Sequence, residues 1–534
     1  MPHVITRSCC KDESCVAVCP VDCIRPARGE AFTDTAMLFI DARTCIDCGA
    51  CKDVCPVDAI QLDTDLSGPQ KRFEEMSADY FLAHPLHSDF SSEPAPHAAV
   101  RSGALRVAIV GAGPAGCYAA AALLESGGVA VSLFERLPTP YGLIRAGVAP
   151  DHQDTKSVTR SFEQALGDDA LDCYFNVEVG RDVTHAELVA DHHAVIYAVG
   201  ASTPRSLGIP GEGLPGSVAA ADVVGWYNGH PDHAHHSFDL TGPRVVIVGN
   251  GNVSLDVARV LLLDDRHLTA ESDTADHALA PLAHGMVDEV VIVGRRGPRH
   301  AAFSVSEFLA LGSLPGVDVV VDGDDLAASP DDDVETRWKL QALREFALRP
   351  PGRNRKRIVF RFGATPSRIR GTNRVTGLDV TTATGTEVVE TSLVIRSIGY
   401  RGRPAEDVPF DAAAAVIPND QGRVLDEHGD PVPGVYVTGW MKRGSSGVIG
   451  TNRACAKQTV DRLWSDFDDG RLTVDDSRPF RVRELLAQRG VDALDWSAWQ
   501  RIDAAEVSAG ADARRPRRKI TSRSDLVAAG RSTG

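Results

Sequence analysis

Residues 15–24 read CVAVCPVDCI and residues 51–60 read CKDVCPVDAI, the same segment met again 36 positions later. Extended upstream, the alignment pairs Cys9 with Cys45 and Asp12 with Cys48. The second copy, Cys45-x2-Cys48-x2-Cys51-x3-Cys55-Pro56, is an iron–sulfur run in which the fourth cysteine serves the other cluster of a pair. Cysteines three apart in a tight turn wrap three thiolates around one cubane, and the prolines stop the chain continuing as helix through the ligands. The pairing this implies is Cys45, Cys48, Cys51 and Cys19 on one 4Fe-4S cluster, with Cys9, Cys15 and Cys55 holding the other. Asp12 stands where that other set needs a thiolate, so its cluster is either 3Fe-4S or a 4Fe-4S cluster with a carboxylate ligand. Cys10 matches Ile46 and Cys23 matches Ala59, which ranks both below the ligands. Zinc knuckles use two separated cysteine pairs for one ion and do not explain so dense a run. Disulfides need an oxidising compartment, and no basic flank, apolar run and cleavage site precedes these cysteines, so a cytoplasmic location is expected.

The chain has 534 residues, a length that suggests about three domains. It is 43% hydrophobic and 24% charged, with no apolar run long enough to span a membrane. A net charge of -17 argues against general nucleic-acid affinity. One basic cluster, Arg514, Arg515, Arg517, Arg518 and Lys519, runs against that balance and reads as a solvated tail or a dock for an acidic partner. Residues 63–104, rich in Pro, Ser and Ala around SSEPAPHAAVRSG, read as a linker in which DYFLAHPL packs on a neighbour.

Organised α/β sequence follows. The buried-strand run LRVAIV leads directly into Gly111-Ala112-Gly113-Pro114-Ala115-Gly116, then a helical stretch, then a strand VAVSLFE ending in Glu135. This is a complete dinucleotide context: glycines for the tight turn and close approach of a pyrophosphate, and an acid 24 residues on for a ribose hydroxyl. The pattern recurs at RVVIV, Gly249-Asn250-Gly251-Asn252-Val253-Ser254, and a strand EVVIVG that ends in Arg295 and Arg296. Two guanidiniums where an acid would favour NAD suit a 2′-phosphate, so NADP(H) is expected there and FAD at the first site. Ser254 in place of the third glycine loosens helix packing, and residues 264–287 read as a surface-loop insertion. YAVGAS and IRSIGYRG flank the second site, so the second unit is inserted in the first, with VYVTGW as the last strand of the FAD-binding part.

The expected architecture is therefore α/β: a small α+β bacterial ferredoxin domain (1–62), the linker, an FAD domain (105–204 and 396–470), an inserted NADP domain (205–395), and a C-terminal extension (471–534) in which RPFRVRELLAQRG forms a closing helix. The segments LPTPYGLIRAGVAPDH (137–152), GNGNVSLDVAR (249–259), GRRGP (294–298) and GWMKRGSSGVIGTN (439–452) resemble the adrenodoxin-reductase-type ferredoxin–NADP reductases. With its N-terminal cysteine runs the chain is similar to the mycobacterial branch in which a seven-iron-type ferredoxin is fused to such a reductase.

That resemblance implies FAD contacts at Ala115, Glu135, Leu143, Val179, Trp440, Gly447, Val448 and Ile449. It implies NADP contacts at Arg205, Asn252, Arg295, Arg296 and Glu307, with Gly447 between the two cofactors. His152 and Asp256 match polar residues near the nicotinamide and flavin, either orienting groups or holding two segments together. The implied activity is hydride transfer from NADPH to FAD, then single electrons through the clusters to an external ferredoxin or P450-type acceptor. The competing expectation is an FAD/NADPH electron-input subunit of a larger iron–sulfur enzyme such as glutamate synthase. A disulfide oxidoreductase needs a cysteine pair beside the flavin, and beyond the ferredoxin part only Cys117, Cys173 and Cys455 remain, unpaired in sequence.

Overall fold

A computed structural model describes residues 2–26, 35–86, 96–322, 326–350, 352, 355–474 and 481–532. The cysteine repeat is also a backbone repeat. Lys11 and Asp47, Glu13 and Gly49, and Asp22 and Asp58 all have positive φ, each pair 36 residues apart. Lys11 and Glu13 precede the short helix Ser14–Ala17 and Asp22 follows it, just as Asp47 and Gly49 precede Ala50–Asp53 and Asp58 follows it. Two small antiparallel ladders close the unit: His3–Ile5 with Ile60–Leu62, and Ile24–Arg25 with Phe39–Ile40.

The rest is two α/β lobes. Continuous Val/Ile/Leu runs, buried on both faces, form parallel sheets covered by helices. In the first lobe the strand order is Leu171–Phe175, Val129–Glu135, Leu105–Val110, Ala194–Tyr197 and Pro431–Val437, all parallel, with Arg423–Leu425 and Asn419–Asp420 added antiparallel. The second lobe is an all-parallel sheet of six strands, ordered Ser217–Ala219, Leu393–Arg396, Arg244–Val248, Glu289–Val293, Lys356–Arg361 and Val317–Asp322. The chain passes between lobes twice, where Thr203–Pro204 pairs with Tyr400–Arg401, so the second lobe is an insertion in the first. Among the described residues no helix is long and apolar enough to cross a membrane.

Three sequence expectations are corrected. The linker holds a helix, Lys71–Ala83, because Phe73, Met76, Ser77 and Tyr80 recur at helical spacing and are buried. Tyr80 stacks on Phe39 at 4.6 Å, and Trp338 of the second lobe meets Phe39 at 5.5 Å. The insertion at 264–287 is no surface loop: it forms helices Asp265–Ala270 and Asp276–Ala283, and Ser272, Asp273, Thr274 and Ala275 between them are buried. The basic cluster is no solvated tail, since Arg515 and Arg518 pair with Asp276, Arg517 with Glu506, and Lys519 with Asp273. The closing helix runs Val482–Gln488, and two longer ones follow it, Trp496–Asp512 and Arg523–Arg531.

Candidate functional site

None of the cysteines forms a disulfide. Cys19, Cys45, Cys48 and Cys51 line one cavity together with His3 and Cys23. The Cys23 thiol donates to Cys19 Sγ at 3.5 Å, and that hydrogen bond is the main cause of a Cys19 pKa near 6. Cys9, Cys15, Cys55 and Asp12 form a second group, close enough that its other members raise the Cys9 and Cys15 thiols. Burial is the larger cause and pushes the Cys9 thiol up to about 11. Asp12 is buried, and its carboxylate accepts from the Ser14 hydroxyl. Cys10 is buried beside this second group, facing the first lobe.

In the first lobe Gly111 has φ +107, and a Cβ on it would lie 2.7 Å from Ala198 O. A Cβ on Gly116 would lie 1.9 Å from Gly111 O, so only glycine lets the helix Pro114–Leu124 seat on its strand. Gly113, between them, has nothing within 4 Å on its side-chain face, which leaves the helix N-terminus open for a phosphate. Ala115 lies in the first turn of that helix, against Gly439. Glu135 accepts from Ala112 N and Leu137 N, each at 3.0 Å, and its carboxyl is raised by burial despite both. Leu143 is 48% exposed, an apolar side chain left uncovered at this edge. Val179 pairs with Val183 in an isolated bridge and packs on the sheet. Trp440 stacks with Tyr400 at 6.0 Å and donates to Ser446 O at 3.0 Å. Gly447 has φ +86; Val448 N donates to Thr451 Oγ1, and Ile449 O accepts from Asn452 Nδ2.

The second lobe repeats the construction. Gly249 has φ +114 and a Cβ there would lie 2.0 Å from Ser397 O, whereas Gly251 faces open space up to 4.0 Å away. Asn252, Val253 and Ser254 start the helix Asn252–Leu262, and Asn252 Oδ1 accepts from Ser304 N at 2.8 Å. Ser254 is wholly buried and its hydroxyl has no hydrogen-bond partner. Arg295 and Arg296 project into solvent at the end of their strand, and among the described residues neither guanidinium has an ion-pair or hydrogen-bond partner. Arg205 lies at the crossing, donating to Tyr400 O at 3.3 Å.

The junction of all three units carries residues that sequence reading missed. Arg7 of the cysteine unit donates to Glu307 Oε2 at 2.9 Å and to His152 Nε2 at 2.5 Å. That contact makes Nε2 an acceptor, so the ring proton sits on Nδ1, which is 3.9 Å from Asp256 Oδ1. Burial, and then Arg7, bring the His152 pKa down to about 4. Burial raises Glu307, but Arg7 and His152 outweigh it and hold that carboxyl low. Asp256 goes the other way: burial and the Glu307 charge push it well above the carboxylate range. Beside this cluster Gly450 N donates to Cys10 O at 2.8 Å, and Arg453 Nη1 donates to Asp12 O at 2.6 Å. Gly450 is needed because a Cβ would fall 1.8 Å from Lys11 O. No periodicity announces Arg7 or Gly450; the fold alone brings them to their partners.

Over residues 105–296 the chain matches the pyridine nucleotide-disulphide oxidoreductase family, and over residues 38–61 the 4Fe-4S binding domain. It is 48% identical over 554 residues to a probable ferredoxin/ferredoxin–NADP reductase of Mycobacterium tuberculosis, spanning 100% of this chain and 95% of that one. The NADPH-ferredoxin reductase FprA of the same organism is 43% identical over 455 residues, 79% of this chain and 98% of its own. The solved structure of M. tuberculosis FprA in complex with NADPH superposes with a TM-score of 0.74 at 42% identity, covering 80% of this chain and 100% of that one.

Proposed function

Because the chain belongs to the ferredoxin/ferredoxin–NADP reductase family, we propose that it oxidises NADPH and sends the electrons out through its own ferredoxin unit. The observation that carries this reading is the joint itself: the loop bearing Cys9, Cys10 and Asp12 accepts hydrogen bonds from Gly450 N and Arg453 of the first lobe. Bound in these cradles, FAD would supply a hydride acceptor for NADPH, and iron–sulfur clusters held by the two cysteine groups would supply one-electron transfer.

The residues present fit both nucleotides. The open faces of Gly113 and Gly251 lie where a pyrophosphate needs backbone approach, and the filled faces of Gly111, Gly116 and Gly249 set the turns. Glu135 keeps lone pairs for a ribose, and Leu143, Val179, Trp440 and Gly447 to Ile449 supply the remaining FAD contacts. The unpartnered guanidiniums of Arg295 and Arg296 would hold the 2′-phosphate, with Asn252, Arg205 and Glu307 along the rest of NADP. His152, neutral and fixed by Arg7, orients the nicotinamide end together with Asp256 and does no acid–base step.

Cys19, Cys45, Cys48 and Cys51 would hold one 4Fe-4S cluster. Cys9, Cys15 and Cys55 would hold the other, with Asp12 at the corner where the second run has Cys48. The latter set faces the reductase. The former opens outward, with Cys48 exposed and Ile46 59% exposed, and this is the edge offered to a separate ferredoxin or P450-type acceptor. Free thiols in such number suit a cytoplasmic protein.

The test is anaerobic titration of the iron-replete protein with NADPH, followed by flavin absorbance and low-temperature EPR. Flavin bleaching followed by iron–sulfur signals in the same chain supports the proposal. Flavin bleaching with clusters left oxidised at excess NADPH overturns it. The as-isolated spectrum separates a three-iron first cluster from a carboxylate-ligated four-iron one.

A further inference from the structure

Four histidines fall within seven residues of the second lobe, His230, His233, His235 and His236. They follow the helix Ala220–Tyr227, whose first turn carries Asp222. The chain folds back so that Asp222 Oδ1 lies 3.4 Å from His233 Nδ1 and 3.9 Å from His236 Nε2. The three donor atoms all lie within 4.8 Å of one another. Donors bound at about 2.0–2.2 Å to a tetrahedral zinc ion stand roughly 3.4 Å apart, so small side-chain rotations close the set around an ion. Gly225 makes room for it: a Cβ there would meet the His233 ring at 2.6 Å. His233 Nδ1 is buried and has no hydrogen-bond partner, a cost that a bound ion removes.

A second cluster, His152, Asp256 and Glu307, also converges. Its acids are already engaged by Arg7 and Arg259, whose guanidiniums pair with Glu307 and Asp256. Among the described residues no guanidinium or ammonium is paired with Asp222, which meets the two imidazoles and the Ala219 N–H.

We propose that Asp222, His233 and His236 form a binding site for a divalent transition ion of the zinc class, with the fourth position left to water. Two imidazoles and one carboxylate select such ions over magnesium or calcium, which take all-oxygen sets. The site is separate from both cysteine groups. It lies close to the passage between lobes, since the Asp222 charge reaches Tyr400, the residue that pairs with Pro204 and stacks on Trp440. An ion here ties the helix Ala220–Tyr227 to the loop beside that passage.

The test is anaerobic competition for Zn2+ between the iron-replete, FAD-loaded chain and a zinc-chelating dye. Wild type takes up one equivalent. Asp222→Asn and His236→Ala each weaken uptake by more than about tenfold, and His235→Ala, outside the set, leaves it unchanged. Flavin absorbance shows that the variants fold. The proposal is overturned if wild type draws no zinc from the dye, or if uptake is the same in Asp222→Asn and His236→Ala as in wild type, which would assign it to the thiols.

Discussion

The pair Arg295 and Arg296 offers the cleanest perturbation. Both guanidiniums are exposed, and among the described residues neither has a partner within the protein, so replacing them by serine leaves no protein group unsatisfied. Whatever is lost is lost from the ligand. A charge-assisted hydrogen bond to a phosphate is worth about 1.5–3 kcal/mol, and solvent at this open strand end holds the value near the lower figure. One substitution then costs about tenfold and the pair up to about a hundredfold, by the rule of 1.4 kcal/mol per decade. NADH has no 2′-phosphate and loses nothing. The assay is steady-state reduction of ferricyanide, read as kcat/KM for NADPH and NADH in parallel. Arg295→Ser and Arg296→Ser raise KM for NADPH with kcat nearly constant, the mark of binding energy shared by ground and transition states. Equal losses with NADPH and NADH would refute the reasoning, since they would make the arginines part of the lobe's stability. No loss with either would place the phosphate elsewhere.

Three further outcomes are expected. Gly450→Ala sets a methyl group 1.8 Å from Lys11 O and forces the ferredoxin loop off the first lobe; stopped-flow should show cluster reduction slowed about tenfold or more while flavin reduction by NADPH persists. Asp12→Cys restores the missing thiolate, and EPR of the as-isolated protein should lose any three-iron signal and show a second four-iron cluster on reduction. The third concerns pH: burial lowers the His192 pKa from 6.5 to about 4, so the unfolded chain binds the proton more tightly between those values and stability falls as pH drops through that window. At pH 5 this amounts to about 2 kcal/mol. His192→Gln should show a correspondingly smaller loss between pH 7 and pH 5 in denaturant unfolding.

The reading from sequence went furthest where a ligand dictates local chemistry. The 36-residue offset of the cysteines returns as a backbone repeat and the glycine turns form with their strands, both short-range patterns. The same offset governs the positive φ values of Lys11 and Asp47; aspartate tolerates that conformation, but nothing in a lysine side chain announces it. The helix Lys71–Ala83 had a legible signal: Phe73, Met76 and Tyr80 at helical spacing, with Ser67 and Gln70 forming a capping box just upstream. The Pro- and Ser-rich segment beyond it hid that signal. The basic run 514–519 misled for a different reason. A charge cluster is solvated unless the fold supplies counter-charges, and its partners Asp273 and Asp276 lie some 240 residues upstream in a segment that itself read as loop.

Those partners show what the C-terminal extension does for the electron path. Arg145, in the segment that resembles an FAD-binding stretch, forms a bidentate pair with Glu506, which is fully buried and also holds Arg517 and Ile520 N. Lys519 and Lys156 both reach Asp273 of the inserted lobe; burial lowers both lysines, and their two charges overcome burial to hold Asp273 near pH 2. Buried ion pairs cost desolvation that their attraction barely offsets, so they add little net stability, yet any rearrangement that strands one partner is strongly disfavoured. Placed between an FAD-lobe helix and an NADP-lobe turn, the strap penalises every relative position of the lobes except this one. Arg7 and Arg453 do the same for the ferredoxin unit, Arg7 pairing with Glu307 and Arg453 holding Asp12 O. Charged pairs therefore hold both joints, lobe to lobe through Asp273 and ferredoxin unit to reductase through Glu307.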